Sequence, residues 1–208
     1  MTTSTAQVEK QKLPLWANLL TCLVVLTFAT IGTGAFSGLM FARQLAVDAY
    51  EPDKILITAQ RIAQFPQPLP DGYKFLIAAD FKVMQFLVLE HEPSHQQLTF
   101  YGLPFAFSEE NSKNLLDRAY DMGINAAYTV AKFHDLKSRG QEKVSGETMN
   151  YMLGTFTNPA NERDAEGFVG CIGLNKAAKN ILIYSYPDAD HAYNQQVTMN
   201  LLNSLKGF

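Results

Sequence analysis

The sequence has few cysteines, no excess of basic residues and no internal repeat. Two cysteines among 208 residues exclude a disulfide-stapled scaffold and any multi-cysteine zinc or iron–sulfur site. The 17 Lys and Arg residues are outnumbered by 20 Asp and Glu residues, which argues against a nucleic-acid-binding protein that depends on phosphate contacts. Hydrophobic residues make up 47% and charged residues 18%, so the composition is that of a folded chain rather than a disordered one.

One long apolar segment stands near the amino terminus. No charged residue occurs in residues 13–42, and a membrane-spanning helix needs about 20 predominantly apolar residues. The segment therefore predicts a transmembrane helix over residues 14–42, after a short tail of residues 1–13. The alternative is a cleaved signal peptide, but the apolar core of such a peptide is usually about 7–15 residues. We interpret the segment as a single-pass signal anchor, with the lipid bilayer as a partner.

The basic residues on either side of this segment indicate its orientation in the membrane, and its small residues indicate how it packs against another helix. Lys10 and Lys12 precede it and Arg43 follows it, so the positive-inside rule favours a main domain outside the cytoplasm. Gly34 and Gly38 form a GxxxG pattern, which lets two helix backbones approach closely. The pattern predicts a helix-packing contact, either self-association or docking on a membrane protein partner, although glycine is also common in membrane helices generally.

The rest of the chain is predicted to be a linker, residues 43–54, and a globular domain, residues 55–208. A domain of about 150 residues is large enough to bury a core of its own. Residues 44–208 contain 14 Lys and Arg and 19 Asp and Glu, so acidic residues are in excess by five. Anionic lipid repels an acidic domain.

Apolar spacing and turn residues predict an α+β fold with an antiparallel sheet. Ile55, Ala59 and Ile62 recur at helical spacing after Pro52. Three helices are predicted, over residues 52–65, 109–122 and 190–206. Runs of branched and aromatic residues predict strands over residues 73–79, 83–90, 97–103, 126–135, 147–156, 168–174 and 181–186. Turn-rich sequence is expected between strands at residues 137–146, 157–167 and 175–180.

Three stretches carry a resemblance to known proteins: LPDGY at residues 69–73, GFVGCIGLNKAAKNILIYSYPD at residues 167–188, and LLNSL at the end of the last helix. With them the chain resembles uncharacterised bacterial proteins that have one amino-terminal membrane helix. In the order of its elements it also resembles the Mog1/PsbP-like α/β sandwich over residues 55–205. That resemblance implies a binding or assembly role, and it assigns no site residue, because fold analogy does not establish function.

One motif suggests metal chemistry. His91, Glu92 and His95 fit HExxH, in which two histidines on one helix face bind zinc and the glutamate is the general base. Pro93 stands inside the motif, where it would break a helix, and the sequence on both sides is typical of strands. We therefore interpret residues 91–95 as a loop between two strands. A membrane-tethered zinc hydrolase that uses these three residues is the alternative function.

No other set of residues indicates catalysis. Cys171 lies in an apolar strand, where a cysteine is usually an inert core residue. His134 adjoins Asp135, but neighbours on a strand point to opposite faces. The alternating acids of residues 162–166 lack the full spacing of a calcium loop and are interpreted as a solvated loop. No metal and no cofactor is assigned from the sequence.

The sequence therefore favours a membrane-anchored, non-enzymatic protein with an accessory, assembly or binding role, and the resemblance implies a bacterial one. This interpretation depends on a long apolar segment with small residues, a domain with its own core, and no convergent catalytic groups. A small-ligand or lipid carrier, in which the aromatic-rich sheet encloses a pocket, is a further alternative.

Overall fold

The computed structural model describes residues 47–81, 84–104, 109–126, 129–158, 162–174, 179–187 and 190–208. The helices in these residues are α1 (Pro52–Ile62), α2 (Glu109–Met122) and α3 (Gln195–Ser204). The strands are β1 (Tyr73–Asp80), β2 (Gln85–His91), β3 (Gln96–Leu103), β4 (Ile124–Ala126), β5 (Thr129–Ala131), β6 (Phe133–Val144), β7 (Glu147–Asn158), β8 (Arg163–Leu174) and β9 (Lys179–Pro187). Seven strands form one sheet in the order β1-β2-β3-β9-β8-β7-β6, and β4 and β5 form a separate hairpin.

Every neighbouring pair in the seven-stranded sheet is antiparallel. With its three helices, the sheet confirms the predicted α+β class. Successive residues of a strand point to opposite faces, and β8 shows both faces. Phe168 and Ile172 belong to a core cluster with residues of α1 and α3, whereas Val169 and Cys171 belong to a second cluster with residues of α2. The helices therefore cover both faces of the sheet.

The larger core cluster is built from aliphatic and aromatic side chains of α1, α3 and the sheet. Its members with no exposed surface include Ala59, Ile62, Leu87, Leu89, Leu98, Phe100, Phe168, Ile181, Ile183, Leu201 and Leu202. Under α2, Cys171 is fully buried as a free thiol, and burial raises the pKa of that thiol to about 12. A thiol in this setting stays protonated at neutral pH, which agrees with its interpretation as a core residue.

One strand is longer than the sequence indicates. Residues 137–146 are predicted as a turn, but β6 continues through them to Val144. Only Ser145 and Gly146 form the turn, with φ angles of 50° and 86°. Between the buried ends of β6, at Phe133 and Val144, the side chains are exposed or half-buried. This edge strand therefore lacks the alternation of buried and exposed residues on which a sequence prediction depends.

Several further boundaries differ from prediction, and the single strand predicted over residues 126–135 is divided among β4, β5 and β6. Strand β8 begins at Arg163, inside the predicted turn 157–167. Helix α3 begins at Gln195 and not near Asp190. Its N-cap is Asn194, whose side-chain oxygen accepts a hydrogen bond from the N–H of Gln196 at 3.0 Å. Asparagine is among the best N-cap residues, because its side chain satisfies an N–H that has no partner within the helix.

The predicted linker, residues 43–54, is partly structured. Helix α1 already begins at Pro52, a residue suited to the first helical turn. Before it, the carbonyl of Ala49 accepts a hydrogen bond from the N–H of Ala78 in β1, at 3.0 Å. The chain thus enters the domain alongside β1.

The predicted transmembrane helix over residues 14–42 and the predicted contact of Gly34 and Gly38 lie outside the described residues. Among the helices that the structure does describe, none is both long enough and apolar enough to cross a membrane.

Candidate functional site

All four histidines of the chain lie at the same end of the seven-stranded sheet. His91 is the last residue of β2, and His95 immediately precedes β3. His134 is the second residue of β6, and His191 follows β9. Antiparallel pairing places the ends of β2, β7 and β9 beside the beginnings of β3, β6 and β8. We call this region, defined by the four histidines, the histidine end.

The HExxH residues form a tight turn between β2 and β3. Glu92–Ser94 is a single 3-10 turn, and His95 adopts a left-handed conformation with a φ of 49°. The N–H of Glu92 donates to the carbonyl of Gly72 at 2.9 Å, which joins this turn to the turn before β1. His91 and His95 therefore do not share a helix face, as a zinc-peptidase motif requires.

The imidazole ring of His91 contacts neighbouring side chains. Its Nδ1 lies 2.7 Å from Ser94 Oγ, and its ring centroid lies 4.7 Å from that of Tyr73. Gly72 has a φ of 85°, and a Cβ added there would lie 2.9 Å from His91 Nε2. Burial lowers the pKa of His91. The Nδ1 atom therefore already has a polar partner, and Nε2 lies beside Gly72.

Glu92 is likewise engaged, in an exposed ion pair. Lys74 Nζ lies 2.7 Å from Glu92 and 3.2 Å from Glu90. The hydrogen bond from Lys74 lowers the pKa of Glu92. A carboxylate held by a lysine at the surface is a poor general base, because its pKa lies far from neutrality.

His95 contacts His191 instead of His91. The two rings are stacked with centroids 4.3 Å apart and an interplanar angle of 29°. This contact joins the β2–β3 turn to the segment between β9 and α3. Across the part of the chain that the structure describes, no group of three or more His, Cys, Asp or Glu residues is placed to hold a metal ion.

Behind the stacked pair lies a buried polar network centred on Gln96. Gln96 Nε2 contacts Ser185 Oγ at 3.0 Å, Thr198 Oγ1 at 3.0 Å and the carbonyl of Asn194 at 3.1 Å. Gln96 Oε1 accepts a hydrogen bond from the N–H of Asn194 at 2.9 Å. The side chains of Gln96, Ser185 and Thr198 are fully buried. The network fixes the start of α3 on β3 and thereby holds the His191 segment in place.

His134 belongs to a separate, exposed cluster. Its Nδ1 lies 3.1 Å from Asp135 Oδ2, and its Nε2 lies 3.3 Å from Asp164 Oδ1 and 3.3 Å from Thr157 Oγ1. The prediction that His134 and Asp135 point to opposite faces is wrong. A bulge between Phe133 and Asp135 interrupts the β6–β7 register, and an extra residue in a strand redirects its neighbours.

The cluster contains a hydroxyl, an imidazole and carboxylates, but its proton arrangement is not that of a nucleophile. Thr157 Oγ1 donates to Asp164 at 2.8 Å, and this bond is the main cause that lowers the pKa of Asp164. Because its pKa is lowered, Asp164 is a weak base and does not activate this hydroxyl as a nucleophile. The His134, Asp135 and Asp164 side chains are exposed, so water is not excluded from the cluster.

A groove of about 500 Å³ lies between the His134 cluster and the stacked histidine pair. It lies between the first residues of β8 and residues 190–193, and its lining includes Asp164, His191 and Tyr193. Its charges are paired across the groove and along its rim. Arg163 Nη1 lies 2.9 Å from Asp190, and Lys137 pairs with Glu166. The groove therefore presents charged groups of both signs, which suits a polar partner surface.

Comparison of the chain with protein-family models and with curated proteins finds no match. The geometry and the sequence are therefore the evidence for function. They show that the three HExxH residues are held by different neighbours. They also place the His95–His191 pair and the separate His134 cluster at the same end of the sheet, a placement that the sequence did not predict.

Two other grooves are lined by charged side chains. One of about 490 Å³, between α2 and the β6–β7 edge, includes Lys113, Asp117 and Arg139. The other, of about 350 Å³, lies between α1 and β1 and includes Lys54 and Arg61, with two aspartates. An apolar ligand needs a predominantly apolar lining, so these two grooves do not favour a lipid carrier.

Proposed function

We propose that the chain is a single-pass, membrane-anchored binding protein without catalytic activity, and that its partner contacts the groove at the histidine end. One observation carries this proposal: each imidazole at this end is already held by a neighbour. His91 contacts Ser94 and Tyr73, His95 and His191 contact each other, and His134 contacts two carboxylates. Such a surface offers shape and hydrogen-bonding groups to a polar partner.

The path of the chain also supports a binding role. Residues 13–42 supply the proposed anchor, and the chain then enters the domain beside Ala78, near the end of β1. The histidine end lies where β1 begins, at Tyr73. A partner can therefore reach the groove from the side opposite the entry point. The charge distribution around the anchor favours a domain outside the cytoplasm.

The anchor and the orientation have a direct test. The full chain is expected to float with vesicles after alkaline extraction, because an inserted helix is not removed by high pH. A Glu142→Cys variant, made with Cys22→Ser, is expected to react with a membrane-impermeant maleimide on intact cells; Cys171 is buried. Release by alkali contradicts the anchor, and labelling only after lysis contradicts the orientation.

The binding role is tested with the full-length protein captured from gently solubilised native membranes. We expect a stoichiometric partner that is retained by a Leu136→Ser control and lost on Arg163→Glu, which places a negative charge beside Asp190. The double variant Gly34→Leu and Gly38→Leu tests whether helix packing also contributes. A partner retained by Arg163→Glu contradicts binding at the groove, and substrate turnover abolished by His134→Ala contradicts the absence of catalysis.

A further inference from the structure

Exposed apolar side chains are concentrated at one corner of the domain. Among the residues that the structure describes, seven large apolar side chains are exposed. Four of them fall within residues 47–57, and their exposed fractions are 59% for Val47, 69% for Tyr50, 37% for Leu56 and 51% for Ile57. A fifth, Phe81, follows the end of β1. We call these five residues the entry corner.

The fold accounts for this concentration. Helix α1 buries Ile55, Thr58, Ala59 and Ile62 against the core, so Leu56 and Ile57 are left on its outer face. Residues 47–50, two helical residues followed by a turn, are fixed to β1 by the hydrogen bond between Ala49 and Ala78. Arg61 of α1 pairs with Asp80, the residue before Phe81. Helix α1, the turn and the end of β1 therefore present their apolar side chains from one region.

Exposed apolar side chains that are concentrated at one place often mark a contact with another molecule. Ile57 also lines the charged groove between α1 and β1, so the apolar side chains of the corner have charged neighbours. Here the covalent chain limits what that molecule can be. The uncharged segment ends at Ala42, and four residues separate it from Val47. Fully extended, that connection reaches at most about 18 Å. If the segment spans the bilayer, the entry corner is held beside the headgroup layer.

The side chains around the corner suit the boundary between headgroups and acyl chains. Tyrosine is enriched at this boundary, since its ring is apolar and its hydroxyl is polar. Lys54 and Arg61 flank Ile57 at helical spacings of three and four, so their charged ends can remain in water while their stems lie along lipid. Within residues 47–61 there are three acids and two bases, so attraction to anionic lipid is not the driving force.

We propose that the entry corner rests on the surface of the bilayer in which the chain is anchored, with Val47, Tyr50 and Ile57 inserted at the interface. This proposal rests on the proposed membrane anchor and goes beyond it, because a tethered domain need not touch lipid. It implies that the domain has a fixed orientation, in which the histidine end is turned away from the membrane.

The test places a single tryptophan at the corner of the full chain. Trp16 is the only native tryptophan, so each variant also carries Trp16→Phe. Ile57→Trp is compared with Leu136→Trp, a control of similar exposure, 51% against 44%, on the edge strand β6 at the other side of the sheet. Tyr50→Trp provides a second corner position, where the exposed ring makes the substitution tolerable. All variants are reconstituted into phosphatidylcholine vesicles whose acyl chains are brominated near the headgroups.

We expect brominated lipid to quench the Ile57→Trp and Tyr50→Trp fluorescence by about twofold or more, because interfacial side chains lie within about 5–10 Å of the acyl boundary. Aqueous iodide is expected to quench Leu136→Trp more strongly than either corner variant. Equal quenching of all three by iodide, with no effect of bromine, overturns the proposal. Protection of the corner from both quenchers overturns it too, since a protein contact would then cover the corner.

The failure of this proposal is distinguishable from failure of the anchor. Flotation after alkaline extraction is measured on the same vesicles. A chain that floats without quenching at the corner remains anchored while the domain stands off the membrane. A chain that is released by alkali contradicts the anchor itself, and with it the reason for the corner to meet lipid.

Discussion

At the histidine end, the four imidazoles and Gln96 each contact a neighbour within the domain, whereas the entry corner exposes five large apolar side chains among charged neighbours. The first arrangement fixes loops: Gln96 holds the start of α3, and the stacked rings of His95 and His191 join two connections. The second leaves apolar surface without an internal partner. The difference suggests that the domain uses its two ends for different contacts, one polar and one apolar.

Among the substitutions that test this comparison, we expect Gln96→Ala to have the largest effect on the free energy of unfolding. Gln96→Ala removes a hydrogen-bond partner from the N–H and from the carbonyl of Asn194, whereas the hydroxyls of Ser185 and Thr198 still bond to each other at 2.8 Å. Leaving buried polar groups unpaired costs about 1–3 kcal/mol each, so we expect the free energy of unfolding to fall by about 2–4 kcal/mol. The measurement is chemical denaturation of the full chain in mild detergent, followed by circular dichroism.

Gln97→Ala is the matched control for Gln96→Ala. Gln97 is the next residue of β3, points to the other face, is half-buried, and accepts one hydrogen bond from Tyr186 at 3.1 Å. We expect it to cost no more than about 1.5 kcal/mol, the usual worth of a single hydrogen bond. Similar losses for both variants would mean that the buried network does not hold the histidine end more firmly than an ordinary surface contact.

A smaller effect is expected from His91 on acidification. Burial lowers the pKa of His91 below its ordinary value of 6.5. Between the lowered pKa and 6.5 the unfolded chain binds more protons than the folded chain, so stability is present above 6.5 and is lost as the pH falls through this window. His91→Gln is expected to reduce the stability lost between neutral and mildly acidic pH. The measurement is the melting temperature as a function of pH.

His191→Gln is the control for His91→Gln. It removes an imidazole from the same end of the sheet, but an exposed one that stacks on His95. We expect His191→Gln to retain the acid-side loss that His91→Gln reduces. An unchanged pH dependence in His91→Gln would place the cause of the acid-side loss elsewhere in the chain.

The parts of the fold that could be predicted from the sequence are those with a one-sided burial pattern. Ile55, Ala59 and Ile62 repeat at helical spacing because one face of α1 is buried, and β3 is rich in apolar residues because both of its faces are largely covered. The class of fold follows from such elements. Strand β6 could not be predicted at full length, because its ladder with β7 depends on backbone hydrogen bonds and its side chains mostly face water.

The site was less predictable than the fold. Gln96 does carry a signal, because it occurs in alternation with Leu98 and Phe100 and therefore belongs to the core face of β3. The contact between His134 and Asp135 carries none, since a bulge shifts the register only through pairing with β7. The stacking of His95 on His191 depends on strand order across the sheet, which apolar spacing does not specify.

The smallest effect on stability is expected from a substitution in the exposed His134 cluster. It tests whether the polar contacts at the histidine end are of two kinds, a buried network and a solvated cluster. Thr157→Val removes the hydrogen bond that is the main cause of the lowered pKa of Asp164. We expect that pKa to rise toward its ordinary value of 3.8, as measured by carboxyl NMR titration, with no resolvable change in melting temperature at pH 7.

The sign of this effect follows from the protonation of Asp164. A carboxyl whose pKa is lowered by folding adds stability above its ordinary pKa, and that stability is lost as the pH falls through the lowered value. Any difference between Thr157→Val and the native chain should therefore vanish in strong acid. Thr148→Val, on the same strand but bonded to Lys143 at 2.7 Å, should leave the pKa of Asp164 unchanged.

A large loss of stability in Thr157→Val would contradict the division between a buried network that fixes the histidine end and a solvated cluster that does not. Exposed polar contacts usually contribute little to stability. A large loss would therefore mean that the His134 cluster, although exposed, helps to hold the groove in place.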